Sequence, residues 1–388
     1  MPLTLSARTN RRAGPSDRPP RPVRVSFLID NLSRAGTETQ LLALIRALDR
    51  SRVEPSLVLL DGESEQSRQL EPTDCPVLRL GVKKLFGRAA AGAAGRLRRH
   101  WRDFRTEIAQ IYFLDSAYFG VPMAKLAGVP KIIRVRNNLG YWTTRKHRVL
   151  SRVIRPFVDV TLTNSEAGRD ALVSRDRLSV DRVTVIENGV DAEGFPFPGH
   201  RPFSGASIRV GCVANLRPVK NIDGLMRVAA SLLPGFPNLT FVVAGEGEER
   251  PALERLHGEL RLGERFRLLG AVRDIPAFLG GLDVAVLPSH SEGMSNALLE
   301  SMAAGRPIVA TDVGASAKLL GDGACGVLVP SSRDEPLADG LRKLLSNPAL
   351  ARTFGAAARE RVCGHYSRDA MRLRFEQFYL RLASVPVD

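Results

Sequence analysis

A chain of 388 residues is too long for one typical core and suits two domains. Hydrophobic residues at 44% and charged residues at 25% are ordinary for a globular protein, and no run approaches the roughly 18 uncharged apolar residues of a membrane-spanning helix. The net charge of +15 lies almost wholly in one half: residues 1–190 carry 33 Lys and Arg against 19 Asp and Glu, residues 191–388 carry 23 against 22.

Segment 1–22 is rich in Arg, Pro and Ser and lacks the apolar stretch of a secretory signal, so it reads as a disordered basic leader. Strand and helix signals then alternate. VRVSFLID (23–30) is a short buried-strand pattern, followed by a Gly turn and the helical period of TETQLLALIRALDR (37–50). SLVLLDG, EIAQIYFL, PKIIRVRNN, DVTLTNS and VTVIENG are further short apolar runs, most of them separated by helical or polar segments. Such alternation marks a parallel, doubly wound sheet. DAEGFPFPGHRPFSGAS (191–207), dense in Gly, Pro and Ser, reads as an interdomain linker. The pattern then restarts with IRVGCVANL, LTFVVAGEG, RFRLLG, VAVLPS, PIVATDVG and GVLVP, and YSRDAMRLRFEQFYLRLA (366–383) closes the chain as a helix with an apolar stripe. The expected division is a first Rossmann-like domain at 23–195, a second at 205–365 and a final helix at 366–388. A cleft between two such sheets is the expected ligand site, because open α/β sheets bind ligands beyond the carboxyl ends of their strands.

The basic excess of the first half admits a solvated face, or a surface turned toward anionic lipid or an anionic acceptor. KKLFGRAAAGAAGRLRRHWRDFR (83–105) mixes cations with Leu85, Phe86, Leu97, Trp101 and Phe104, as a helix lying in a membrane interface does. We read it as such a surface, and find no nucleic-acid-binding motif. Cys75, Cys212, Cys325 and Cys363 are widely spaced with no CxxC pair, and the six histidines have no ligand spacing. Neither a metal site nor a bound cofactor is expected, and a reduced cytoplasmic setting fits, at most peripheral to the inner membrane face.

Three stretches carry chemistry. In NLSRAGTETQ (31–40), Gly36 would let backbone N–H groups approach an anion at a helix N-terminus, although the turn lacks a GxGxxG fingerprint and by itself reads sooner as a plain strand-to-helix connection. In ANLRPVKN (214–221), Arg217 and Lys220 lie near a strand's carboxyl end, where two fixed cations can stabilise a departing diphosphate. The third, PSHSEGMSNALLESMAAGRPIVATDVG (288–314), is the most specific. A strand ends near Pro288 and a helix begins near Ser295 or Asn296, with Glu292 in the turn and Glu300 inside the helix. The amides around Gly293, Met294 and Ser295 then sit at a positive helix end suited to phosphate or sugar hydroxyls. A carboxylate on the apolar face of Ala297, Leu298, Leu299 and Met302 is costly unless it binds something.

EGMSNALLE (292–300) resembles the E-x7-E element of glycosyltransferase family 4. AGTETQLL, NSEAGRD, VIENGVD, ANLRPVKN, VVAGEGEER, LLGAVRDIPAFLGGLDVAVLPS and ATDVGAS resemble that family's other landmarks in order and spacing, from about residue 23 to residue 383. The resemblance implies the GT-B fold, two Rossmann-like domains facing across a cleft with a final helix that returns to the first. It implies a retaining, metal-independent transfer of sugar from a nucleotide diphosphate sugar, with the leaving phosphate as base. Glu300 would hold the donor ribose, Glu292 with Gly293, Met294, Ser295 and Asn296 the sugar, and Lys220 the diphosphate. UDP is the expected carrier, GDP the alternative. Two departures stand out. Asn215 occupies a position where arginine is usual, which Arg217 can take over. Gln110 and Tyr112 occupy the places of the family's HxH histidines. Asp115 and Arg136, and Asn138 and Tyr141 in RVRNNLGYWTTRKHR (134–148), are candidates for sugar or acceptor contacts. The acceptor is expected to be a glycan or lipid-linked, in polysaccharide or glycolipid assembly. A nucleotide-sugar epimerase of the same fold and a non-catalytic nucleotide-sugar or membrane-binding protein are the competing readings.

Overall fold

In the computed structural model, which describes residues 21–61, 64–137, 144–197, 203 and 207–384, each run of short apolar segments becomes one parallel sheet. The first sheet holds β1 (Val23–Ile29), β2 (Val53–Leu59), β3 (Val77–Arg79), β4 (Ile108–Ile111), β5 (Lys131–Val135), β6 (Val160–Thr163) and β7 (Val183–Val185), in the order β3-β2-β1-β4-β5-β6-β7. The second holds β8 (Ile208–Val213), β9 (Leu239–Ala244), β10 (Phe266–Gly270), β11 (Val284–Leu287), β12 (Ile308–Thr311) and β13 (Val327–Val329), in the order β10-β9-β8-β11-β12-β13. Central strands are buried on both faces, so they read as unbroken apolar runs. In β1, Phe27 and Ile29 face one core and Leu28 the other. These are the two doubly wound domains of the GT-B fold.

Strand order reverses once in each sheet, between β1 and β4 and between β8 and β11. The chain therefore leaves neighbouring strands toward opposite sides and opens a crevice at their carboxyl ends. Residues following these four strands are the ones both sheets present to the cleft.

The crossings between domains are pinned together. Val190 N–H donates to Tyr366 O at 2.9 Å, and Arg368 N–H donates to Val190 O at 3.0 Å. Gly189 permits this approach, since a Cβ there would lie 2.8 Å from Ser367 O. Beyond this crossing, helix Arg368–Ser384 packs on the first sheet, where Met371, Phe375, Phe378 and Tyr379 join the core of Phe27 and Leu57. Glu376 is fully buried there, paired with Arg52 at 2.8 Å and Arg372 at 3.0 Å.

The structure corrects the interfacial reading of 83–105. Helix Arg88–Asp103 turns Ala90, Ala93, Leu97 and Trp101 into the core, and Trp101 Nε1–H donates to Ser26 Oγ at 2.9 Å. Its amphipathic pattern serves packing, and Phe86 alone of the five apolar residues is largely exposed. Among the described residues, no helix is long and apolar enough to cross a membrane.

Candidate active site

The loop after β8 and the loop after β11 are latched to each other. His290 N–H donates to Val219 O at 2.8 Å, and Asn221 Nδ2 donates to Pro288 O at 3.1 Å. Asn221 takes a left-handed φ of 53°, and Gly224 leaves room for its side chain. This latch places Lys220 beside Glu292, with Nζ to Oε1 at 2.6 Å, and Ser289 Oγ donates to the same oxygen at 2.8 Å. Asn215 and Arg217 lie on the same loop with exposed side chains. Thus β8 and β11 together bring Arg217, Lys220 and Glu292 to one end of the second sheet.

Ser295 caps helix Asn296–Ala303, its Oγ accepting from Leu298 N–H at 3.4 Å. The amides of Gly293, Met294 and Ser295 have no acceptor among the described residues, and they face a positive helix end. Gly314, at φ 58°, lets its loop press beneath this turn, since a Cβ there would lie 2.2 Å from Glu292 O. Met294 is itself buried, its Sδ accepting from Asn188 N–H at 3.2 Å, so it contributes backbone to the cleft and side chain to the interdomain contact. Glu300 lies about one turn farther, half-buried, and its carboxylate has no hydrogen bond or ion pair among the described residues. Burial pushes its carboxyl up to about 7. An unpaired carboxylate in such a place calls for hydroxyl donors.

The first domain meets this loop directly. Asn296 Nδ2 donates to Gly36 O at 2.9 Å, and Asn296 Oδ1 accepts from Asn188 Nδ2 at 2.8 Å and Gln40 Nε2 at 3.1 Å. A Cβ on Gly36 would lie 2.9 Å from Asn296 Nδ2, so this glycine serves the close approach of the domains. Gly293 is tighter still, for a Cβ there would lie 2.2 Å from Asn137 O. Beside it, Asn137 Oδ1 and Asn164 Oδ1 are buried acceptors without partners among the described residues.

Sequence reasoning missed two carboxylates on the first domain. Asp30, just past β1, accepts from Ser116 N–H at 2.9 Å and from Ser116 Oγ at 2.5 Å. Burial pushes its carboxyl up to about 6 against those hydrogen bonds, with Asp115 and Glu38 adding repulsion. Glu38 is buried and raised for the same first reason, while the Ser33 hydroxyl at 2.7 Å and the Arg217 guanidinium across the cleft pull it back down. Asp115 is exposed in the first turn of helix Leu114–Ala127. The only sequence signal for Asp30 and Glu38 was position: polar residues just beyond a strand at a topological switch point.

Other expected residues fall elsewhere. Arg136 is not on the loop after β11; it pairs with Asp176 in a recess beside the cleft. Gln110 and Tyr112 are buried, with Gln110 Nε2 donating to Tyr112 Oη at 2.6 Å and Tyr379 Oη donating to Gln110 Oε1 at 2.9 Å. These two positions, where the resemblance implied histidines, here join the returning helix to the first sheet. His290 lies at the rim, within 3.2 Å of Ser331 O. Asn138 and Tyr141 lie outside the described residues.

Residues 34–193 match the family Glycosyltransferase Family 4, and residues 201–361 match Glycosyl transferases group 1. The chain belongs to the family 4 glycosyltransferases. This glycosyltransferase is 26% identical over 290 residues to a glycogen synthase of Mycobacterium tuberculosis, covering 72% of this chain and 70% of that one. It is 27% identical over 268 residues to an N-acetylgalactosamine-N,N'-diacetylbacillosaminyl-diphospho-undecaprenol 4-alpha-N-acetylgalactosaminyltransferase of Campylobacter jejuni, covering 65% and 71%. Its fold is that of HepE from Anabaena, solved in complex with UDP, at a TM-score of 0.80 and 18% identity over 94% of this chain and 100% of that one.

Proposed function

We propose that this glycosyltransferase moves a sugar, with retention of configuration, from a nucleotide diphosphate sugar, UDP-linked by preference, to a glycan or lipid-linked acceptor. The carrying observation is the convergence of complementary groups at the second sheet's switch point. Open amides of Gly293, Met294 and Ser295 and the cations Lys220 and Arg217 lie on the two loops latched together after β8 and β11, and Glu300, with no side-chain partner among the described residues, lies on the helix that follows. Glu300 takes the ribose hydroxyls, Lys220 and Arg217 take the diphosphate, and Glu292 with the following amides orients the sugar. Before donor arrives, Glu292 holds the Lys220 ammonium at 2.6 Å. A diphosphate with two negative charges competes for that ammonium and frees Glu292 for a sugar hydroxyl.

Two fixed cations can carry the negative charge of the departing diphosphate, so the transfer proceeds without a metal. The leaving phosphate oxygen lies on the face of the sugar it has just left, and an acceptor hydroxyl entering there passes its proton to that oxygen. Asp30 and Glu38 form the acceptor side of the cleft, with Asn137 and Asn164 as hydroxyl acceptors near the sugar. UDP in the HepE structure and the diphospho-undecaprenol in the Campylobacter enzyme's name support the donor and acceptor classes. The setting proposed is cytoplasmic, at the inner membrane face, in polysaccharide or glycolipid assembly.

Release of UDP from UDP-glucose in EDTA, with and without membrane extract as acceptor, tests this reading. Lys220→Ala should lower turnover by about hundredfold or more. Full activity in that variant would remove Lys220 from the diphosphate site, and activity restored only by added Mg²⁺ or Mn²⁺ would overturn metal independence.

A further inference from the structure

Beside the cleft lies a recess that donor binding leaves unused. It is walled by helix Arg145–Ile154, the ends of β5 and β6, and the turn after helix Glu166–Ser174. Seven arginines line it, among them Arg134, Arg148, Arg152, Arg155 and Arg182, against a single carboxylate, Asp176. Asp176 is already engaged by Arg136 and Arg175. The side chains of Arg148 and Arg152 have no hydrogen bond or ion pair among the described residues.

Arg134 shows that this is more than a solvated basic face. It is 5% exposed, donates from Nη2 to Ser151 Oγ at 3.1 Å, and keeps a buried Nε–H without a partner among the described residues. Burial, and then the charge of Arg136, push it down to about 10, so it remains charged at neutral pH. A buried guanidinium with an open donor, surrounded by like charges, is unfavourable until an anion completes it. The planar forks of several arginines match phosphate oxygens two at a time, and so many cations suit linked phosphates better than a single carboxylate.

Position joins the recess to the cleft. Arg136 lines the recess, while the carbonyl of the next residue, Asn137, abuts Gly293. Leu114 lines it too, while the next residue, Asp115, acts on Asp30. On the outer side of the same helix Val149 and Val153 are 57% and 62% exposed, with Phe157 beyond them at 44%. Apolar residues at i and i+4, flanked by Arg145, Lys146 and Arg152, form the pattern of a helix lying in an anionic lipid interface.

We propose that this recess holds the diphosphate of a lipid-linked acceptor, with Val149, Val153 and Phe157 resting in the membrane surface and the acceptor hydroxyl reaching the cleft. The acceptor role rests on the transferase reading above, whereas binding of the lipid diphosphate can be measured without it.

The test uses the full chain saturated with UDP, so that the donor cleft is filled. Flotation is measured with phosphatidylcholine vesicles carrying a polyprenyl diphosphate, with vesicles carrying phosphatidylglycerol instead, and with plain vesicles. Vesicles with the diphosphate should bind best. R148Q/R152Q, two exposed changes outside the core, should weaken that binding about tenfold or more while keeping its UDP-induced rise in melting temperature. V149S/V153S should lose vesicle binding but keep stabilisation by inorganic pyrophosphate. Equal binding to phosphatidylglycerol vesicles would reduce the recess to a general basic surface and overturn the proposal. So would unchanged binding by R148Q/R152Q, or a pyrophosphate response abolished by UDP. Stabilisation by pyrophosphate with no preference for the lipid diphosphate would assign the recess to a free phosphate compound and overturn the lipid assignment. If wild type bound the diphosphate vesicles but gave no UDP response, the donor reading would fail and the recess would stand.

Discussion

Glu300 combines two properties that ordinarily exclude each other: a place one turn inside an apolar helix face and no partner for its charge. Burial raises its carboxyl from 4.5 to about 7. Between those values the folded protein binds more protons than the unfolded chain, so this group's contribution to stability falls as pH rises through the window. Asp30, raised from 3.8 to about 6, acts in the same direction at lower pH. A ribose diol reverses the balance for Glu300, because its hydroxyls donate to the ionised form and lower the pKa in the complex. Affinity for a nucleotide sugar, whose diester phosphates do not titrate in this range, should therefore strengthen roughly tenfold from pH 6 to pH 8. Calorimetric titration of wild type and Glu300→Gln would show it: a slope in the first and none in the second. Equal slopes in both proteins would take the ribose away from Glu300.

At the scale of elements, the site depends on how closely the donor loop and the loop after β5 approach. Gly293 leaves no room for a side chain, with Asn137 O only 2.2 Å from where a Cβ would sit. Gly293→Ala must push the two loops apart, and a displacement near 1 Å at a reacting centre can cost about hundredfold in rate. The expected result is a fall of that order in turnover with a near-wild-type melting temperature. Unchanged turnover would mean that the reaction tolerates the open cleft.

Much of this arrangement was legible in the sequence, because strand order at a switch point decides which loops meet and short apolar runs mark the strands. The strand–turn–helix pattern put Lys220 and Glu292 near strand ends and Glu300 inside a helix, while their roles came from the family resemblance. Partner choice was not legible. Arg136 read as a cleft residue until Asp176, forty positions later, was seen to hold it in the recess. The apolar residues of 83–105 read as a membrane face because helical period is the same for a core stripe and an interfacial one, and only the neighbouring sheet distinguishes them. Asp30 and Glu38 carry no motif, and their raised pKa values come first from burial, which the sequence does not display.

On the scale of the whole molecule, two parallel sheets, two pinned crossings and a returning helix hold the switch points opposite each other, and the charge asymmetry divides the labour. The near-neutral second half carries the loops we propose to bind the donor, and the basic first half carries the recess and its exposed valines. In the proposed function the second domain binds a nucleoside diphosphate through Glu300. The most direct measurement is a thermal-shift comparison with UDP, GDP, ADP and CMP in the absence of added metal. A ligand that binds only the folded state raises the melting temperature by mass action. UDP should raise it selectively, an effect that disappears in Glu300→Ala; no rise with any nucleotide in a folded sample, or a rise that persists in Glu300→Ala, would take the nucleotide away from Glu300.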